Sequence, residues 1–198
     1  MTKIVGITGG IGSGKTTFSN HLKKLGFLVH ESDKVVSEIY TKPKKQFLSF
    51  IKKKISQDAI NRNKINKTEI TNVIFNNNTI KKLLERRIHK EVQSSREAFI
   101  KKYTKKKKKI IFADIPLLFE NRLEKNFDLV ICIISSRKNR SKRVLKNKKF
   151  TKDNLNKIFK AQTTDKVRKK RSQIIIYNNK TKKDFIFSIE KVLTRLIK

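Results

Sequence analysis

The sequence has one cysteine, three histidines and 16 acidic residues among 198. Each scarcity excludes something. The single thiol, Cys132, has no partner for an internal disulfide. It lies in the apolar run DLVICII and reads as inert packing in a buried strand. The histidines His21, His30 and His89 are scattered, so a zinc site is not expected. No stretch reaches the ~18 consecutive apolar residues of a membrane helix. The N-terminus meets a polar glycine loop by Gly9, which does not fit a secretory leader. The expectation is a cytoplasmic protein with no membrane partner. No internal repeat is visible.

The shortage of acids leaves a net charge of +35, with 51 Lys+Arg. Such a charge raises the question of nucleic acid. Of the basic residues, 40 are lysine and 11 are arginine, and they occur in every segment. Asparagine and isoleucine are also abundant, and all these residues except arginine have A/T-rich codons. A dedicated binder should cluster arginine and carry a known module. Neither is visible. The excess reads as compositional drift, and no specific nucleic-acid partner is expected. The run Lys105 to Lys109 reads as a solvated loop before a strand.

What is present is concentrated at the start. Lys3 to Thr8 (KIVGIT) is short, apolar and rich in β-branched residues, as a buried strand should be. GGIGSGKT, Gly9 to Thr16, follows and fits G-x-x-x-x-G-K-[ST]. Phe18, Leu22 and Leu25 then recur at helical spacing, and Gly26 stops the helix. Strand, glycine loop and helix are the context this motif requires. Glycines let successive backbone N–H groups turn toward a phosphate without Cβ clashes. The helix N-terminus adds partial positive charge. The expected ATP-binding residues are Gly10, Ile11, Gly12, Ser13, Gly14, Lys15, Thr16 and Thr17. Lys15 is placed to reach the β- and γ-phosphates, and the Thr16 hydroxyl to ligate Mg²⁺.

Further strands are expected at Phe27 to His30, Ile110 to Ile115, Asp128 to Ile134 and Ile174 to Tyr177. Strands alternating with helices predict a parallel α/β sheet. From Asp33 to Tyr103 only helical signals appear, with Pro43 opening one helix at its first turn. Roughly seventy residues without a strand read as a helical insert. Arg137 to Phe159 is basic and helical, with Thr151 as N-cap of its second half. Thr181 to Lys198 closes the chain as an amphipathic helix.

GGIGSGKTT, the acid pair Glu31 and Asp33, Ile74-Phe75, His89, PLLFE at Pro116 to Glu120 and Ala161-Gln162 occur in this order. In this the chain resembles the dephospho-coenzyme A kinases over essentially its full length. The resemblance implies an α/β, three-layer P-loop kinase fold with a five-stranded parallel sheet, a helical substrate insert and a helical lid. The implied core is 1–33, 108–136 and 172–198, the insert 34–107 and the lid 137–171. It implies transfer of the ATP γ-phosphoryl group to the ribose 3′-hydroxyl of dephospho-CoA, with Mg²⁺. The implied catalytic residues are Asp33, Lys15 and Arg143. Asn178 joins the ATP site, and His89, Pro116, Leu117, Leu118 and Glu120 join Asp33 at the acceptor site.

The residues alone leave alternatives. Asp33 suits a general base that takes the hydroxyl proton; a helix N-cap is the alternative, and the two roles are not exclusive. Leu117 and Leu118 suit a core as well as a substrate surface. Asp114 suits Mg²⁺ through water or a capped turn. His89 suits packing better than catalysis. The chain also departs from the family pattern. Glu31-Ser32-Asp33 stands for Asp-Ala-Asp, Lys90 for the proline of His-Pro, Asn147 for the second lid arginine and Tyr177 for the aspartate of Asp-Asn.

Overall fold

The computed structural model describes residues 1–146 and 150–197. They divide into two compact units, Met1–Glu31 with Ile100–Lys198, and Ser32–Phe99.

The first unit holds a five-stranded sheet of β1 (Lys3–Thr8), β2 (Val29–Glu31), β5 (Ile110–Asp114), β6 (Leu129–Ile134) and β7 (Ile174–Tyr177). The strand order is β2-β5-β1-β6-β7, and every pairing is parallel. Central parallel strands are covered on both faces, so they read as continuous Ile/Val runs rather than alternating ones. Val5, Ile7, Phe112, Ile131 and Ile133 are fully buried. Against them pack Phe18 and Leu22 of α1 (Lys15–Lys24), and Phe185, Ile189 and Leu193 of α9 (Lys182–Ile197). On the other face Ala113, Leu118, Phe119 and Val130 form a second cluster. Gly6 makes room there, because a Cβ would lie 3.0 Å from Leu118 and 3.1 Å from Phe127.

The second strand begins later than the expected Phe27. The N–H of Gly26 donates to Lys23 O and that of Phe27 to Leu22 O, with Gly26 at φ +82°. This is a Schellman ending, so Phe27 still belongs to the stop of α1. Its ring meets Phe112 edge-on, with centroids 5.5 Å apart.

Three helices complete this unit: α6 (Arg137–Leu145), α7 (Lys152–Ala161) and α8 (Asp165–Arg171). The expected N-cap is present: the Thr151 hydroxyl accepts from the Asn154 N–H. Position 147 lies outside the described residues.

The second unit contains α2 (Ser32–Thr41), α3 (Lys45–Lys54), α4 (Lys67–Asn76) and most of α5 (Asn78–Lys105). Phe47, Ile51, Ala59, Ile70 and Leu84 form its own core. Two expectations are corrected here. Pro43 does not open α3, because Lys44 is the N-cap and is extended at ψ 150°. Extended backbone is the usual conformation of an N-cap residue, which leaves Pro43 one position outside the helix. The insert also contains a hairpin, β3 (Ile60–Asn61) with β4 (Lys64–Ile65). Arg62 and Asn63 both have positive φ, 46° and 62°. That is a type I′ turn, the two-residue loop that matches strand twist.

Candidate active site

β1 runs into the glycine loop, and α1 begins at Lys15. Gly12 and Gly14 take φ values of +72° and +112°, which a side chain would strain. Gly14 is the N-cap of α1 and provides no side-chain hydrogen bond. The opening donors of the helix therefore have no side-chain cap, the condition under which a helix N-terminus accepts an anion. Lys15 Nζ donates to Gly9 O at 2.9 Å. Thr16 is exposed in the first turn and Thr17 is half-buried. Two loop amides shape the loop itself. The Ser13 N–H donates to Gly10 O at 3.1 Å, and the Ile11 N–H to Gln162 Oε1 at 3.0 Å. The Ser13 hydroxyl is buried with no hydrogen-bond partner.

Behind the loop sits a clamp. Asn178 follows β7 and is buried. Its Nδ2 donates to Ser13 O at 2.8 Å. Arg143 on α6 donates through Nη1 to Gly12 O at 3.2 Å and to Ser135 Oγ at 3.1 Å. Its Nη2 donates to Asn178 O and Oδ1 at 2.9 and 3.2 Å. Burial holds the Arg143 guanidinium pKa below its ordinary value. The carbonyl side of the loop is thus satisfied by fixed donors, which keeps the amide side oriented.

Asp114 ends β5, and its Oδ2 accepts from Ser19 Oγ at 2.7 Å. Ser19 lies one turn along α1 from Thr16. Hydroxyl and carboxylate oxygens are the hard donors Mg²⁺ prefers. Among the described residues no group of three or more His, Cys, Asp or Glu could hold a metal.

The segment after β5 divides by exposure. Pro116 O accepts from Thr8 Oγ1 at 3.4 Å. Leu117 is 39% exposed, whereas Leu118 is 0% exposed and belongs to the core cluster. Glu120 Oε1 accepts from the Thr163 N–H at 2.7 Å and lies 3.5 Å from Arg168 Nη2.

Glu31, at the end of β2, pairs with Lys23 at 2.7 Å. In the second unit Asp33 is exposed in the first turn of α2. There it favours the helix dipole, and no N-cap bond occupies it among the contacts of α2. The same helix contributes Val35, Glu38 and Ile39 to a cleft of about 380 Å³, completed by Phe47, Glu91 and Ser95 among others. His89 is exposed on α5, so packing does not account for it.

The sequence alone gave no role to Gln162, Arg140, Asp165 or Arg168. Gln162 had a signal, the Ala-Gln pair at the end of a helical pattern. Arg140 and Arg168 are indistinguishable from the basic background by spacing, and Asp165 belongs to no motif.

A family model described as dephospho-CoA kinase matches residues 3–184. The chain is 31% identical over 191 residues to the dephospho-CoA kinase of Fusobacterium nucleatum, covering 95% of each. It is 35% identical over 184 residues to that of Buchnera aphidicola subsp. Schizaphis graminum, covering 90% of this chain and 83% of the relative. The solved dephospho-CoA kinase from Campylobacter jejuni has the same fold, with a TM-score of 0.75 at 24% identity over 99% of this chain and 98% of that one.

Proposed function

The chain belongs to the dephospho-CoA kinase family, and from that premise we propose how its own residues perform the reaction. It is an ATP-dependent kinase. It transfers the γ-phosphoryl group of ATP to the ribose 3′-hydroxyl of dephospho-CoA, the last step of CoA biosynthesis. The observation that carries this reading is the phosphate loop held open by its own clamp, within a chain matched over residues 3–184.

Phosphoryl transfer needs positioning and charge more than covalent chemistry. Gly10 to Thr17 line the triphosphate: the amides of Gly12 and Gly14 to Thr17 and the helix terminus donate to it, while those of Ile11 and Ser13 shape the loop. Lys15 exchanges Gly9 O for a β/γ-oxygen, a substitution that costs it no hydrogen bond. Arg143 and Asn178 act from the carbonyl side of the loop. They fix its shape, and Arg143 adds a positive charge held in place by its hydrogen bonds to Gly12 O, Ser135 and Asn178. Mg²⁺ bound with the nucleotide neutralises the β- and γ-oxygens. Thr16 would hold it directly and Asp114 through water.

Asp33 accepts the proton of the 3′-hydroxyl as the phosphoryl group leaves ADP. Glu31 is the poorer candidate because Lys23 already pairs with it. The cleft beside α2 and exposed His89 are the acceptor-side surfaces of the insert, while Leu117 presents the apolar side of Pro116 to Glu120. Leu118 acts by holding Leu117 in place from the core. The protein is assigned to the cytoplasm, where ATP and dephospho-CoA are both available; among the described residues no helix is long and apolar enough to cross a membrane.

The test is ADP release with ATP and Mg²⁺ over a panel of acceptors. Release that depends on dephospho-CoA is expected. Release stimulated by nucleic acid, or by another small acceptor instead, would overturn the assignment.

A further inference from the structure

Arg140 and Arg168 bring two buried guanidiniums to the phosphate loop. A Cβ added to Gly10 would lie 2.1 Å from Arg140 Nη1 and 3.2 Å from Arg168 Nη1. The second glycine of the loop is therefore covered on one face by arginine. Arg140 is 8% exposed and Arg168 2%. A single carboxylate serves both: Asp165 Oδ2 lies 3.3 Å from Arg140 Nη2, and Oδ1 lies 2.9 Å from Arg168 Nη1. Arg168 has a second carboxylate at 3.5 Å, Glu120. Arg140 has no second carboxylate among these pairs. Its Nε is buried with no hydrogen-bond partner. The Arg140 pKa is lowered, chiefly by burial; Asp165 opposes this, and Arg168 and Arg137 add to it.

A buried cation left short of acceptors is costly unless something else compensates it. Part of the compensation is apolar: the Arg140 guanidinium stacks over Phe159 at 5.0 Å. That contact satisfies a face and leaves the in-plane donors. What those donors match is a phosphate oxygen, since a planar guanidinium fork recognises phosphate with directed hydrogen bonds. The adjacent loop is where a phosphate binds.

We propose that Arg140 is a phosphate-binding residue of the nucleotide site, held at Gly10 by Asp165 and Phe159 and directed at the triphosphate. The proposal rests on the kinase reading for its ligand, ATP. The element it sits on supports the role. Arg140 is in the first turn of α6, its N–H bonded to Ser136 O, and the Ser136 hydroxyl caps the same turn. The side chain is thus launched from a fixed start. Arg143, one turn on, is committed to Gly12 O, Ser135 and Asn178. α6 therefore carries one arginine for the loop backbone and one for the ligand.

The test uses the full chain with Arg140→Met, Arg140→Lys and wild type. Affinity is measured by calorimetry for ATP and for inorganic tripolyphosphate, and the melting temperature is recorded without ligand. Arg140→Met keeps the apolar stem and removes the charge. It should weaken both ligands by a common factor of about ten to a hundred, the range of a charge-assisted hydrogen bond. Arg140→Lys keeps the charge without the fork and should recover only part of the loss, while KM for dephospho-CoA stays near wild type. Unchanged tripolyphosphate affinity in both variants, with only a lower melting temperature, would make Arg140 a packing clamp and overturn the proposal. Tripolyphosphate binding needs no acceptor. The kinase reading is judged separately, by wild-type turnover of dephospho-CoA.

Discussion

Asn178→Ala isolates the clamp from the chemistry. Only the side chain changes. The bonds to the Asn178 backbone survive, its N–H donating to Ile134 O and its carbonyl accepting from Ser135 Oγ. Two bonds are lost: Nδ2 to Ser13 O at 2.8 Å, and Arg143 Nη2 to Oδ1 at 3.2 Å. A neutral buried bond contributes about 1 kcal/mol and one to a charged group about 2 kcal/mol. Arg143 keeps Gly12 O, Ser135 Oγ and Asn178 O, so part of the second term is retained. The net cost is then about 2 kcal/mol, and for a chain of this size the melting temperature should fall by about 4–8 °C. The loop loses a fixed donor on its carbonyl side, so its amides are less well oriented before ATP arrives. KM for ATP should rise several-fold. kcat at saturating ATP should change less, since bound triphosphate reorders the loop. Differential scanning calorimetry and steady-state kinetics measure the two effects. A melting temperature within 1 °C of wild type together with an unchanged KM for ATP would refute the clamp.

Lys15→Ala should reduce turnover strongly, because it removes the charge placed on the β/γ-phosphates; wild-type turnover would move the nucleotide elsewhere. Asp33→Asn should leave ATP affinity intact and lower kcat on the order of 10²–10⁴-fold, whereas Glu31→Gln should cost far less because Glu31 already pairs with Lys23. The reverse ranking in single-turnover assays would exchange their roles. Burial pushes the Cys132 thiol from 9.0 up to about 11, so the folded protein should resist a thiol reagent at pH 8 and react on unfolding. The same shift makes stability fall as pH rises from about 9 toward 11, since the unfolded thiol ionises first. A native protein that reacts fully at pH 8 would contradict the burial.

The sheet was legible because parallel strands buried on both faces leave unbroken apolar runs, and DLVICII is hard to read otherwise. The phosphate loop was legible because its glycines serve backbone geometry, which spacing records. The boundary at Phe27 was not, since a residue closing a Schellman motif and one opening a strand are both apolar. The hairpin at Ile60 to Ile65 was hidden by its shortness. Its turn uses Arg62-Asn63 rather than the Asn-Gly that marks a type I′ loop most strongly. Within PLLFE the pattern could not divide Leu117 from Leu118, because their opposite exposures follow from a turn outside any periodic element. The clamp and the arginine pair were illegible for a different reason. Ser13, Arg143 and Asn178 meet only after the sheet brings β6 and β7 alongside β1, and nothing local encodes that meeting.

The charge that made the sequence hard to place becomes ordered once burial is known. Among the described residues every lysine except Lys15 is exposed. Arg96, Arg140 and Arg168 are buried, and Arg87, Arg143 and Arg171 are half-buried. The two residue types therefore do different work. Lysines on the surface are solvated point charges, which a biased genome can accumulate at little cost to the fold. Arg87, Arg140, Arg143, Arg168 and Arg171 have placed partners, such as Glu91 for Arg87, Glu124 and Phe119 O for Arg171 and Asp165 for Arg168. The excess of +35 is therefore carried mainly by exposed lysine. Dispersed surface lysines raise the potential around any polyanion without selecting among them, whereas Arg143 is committed to the backbone of the glycine loop and to Asn178.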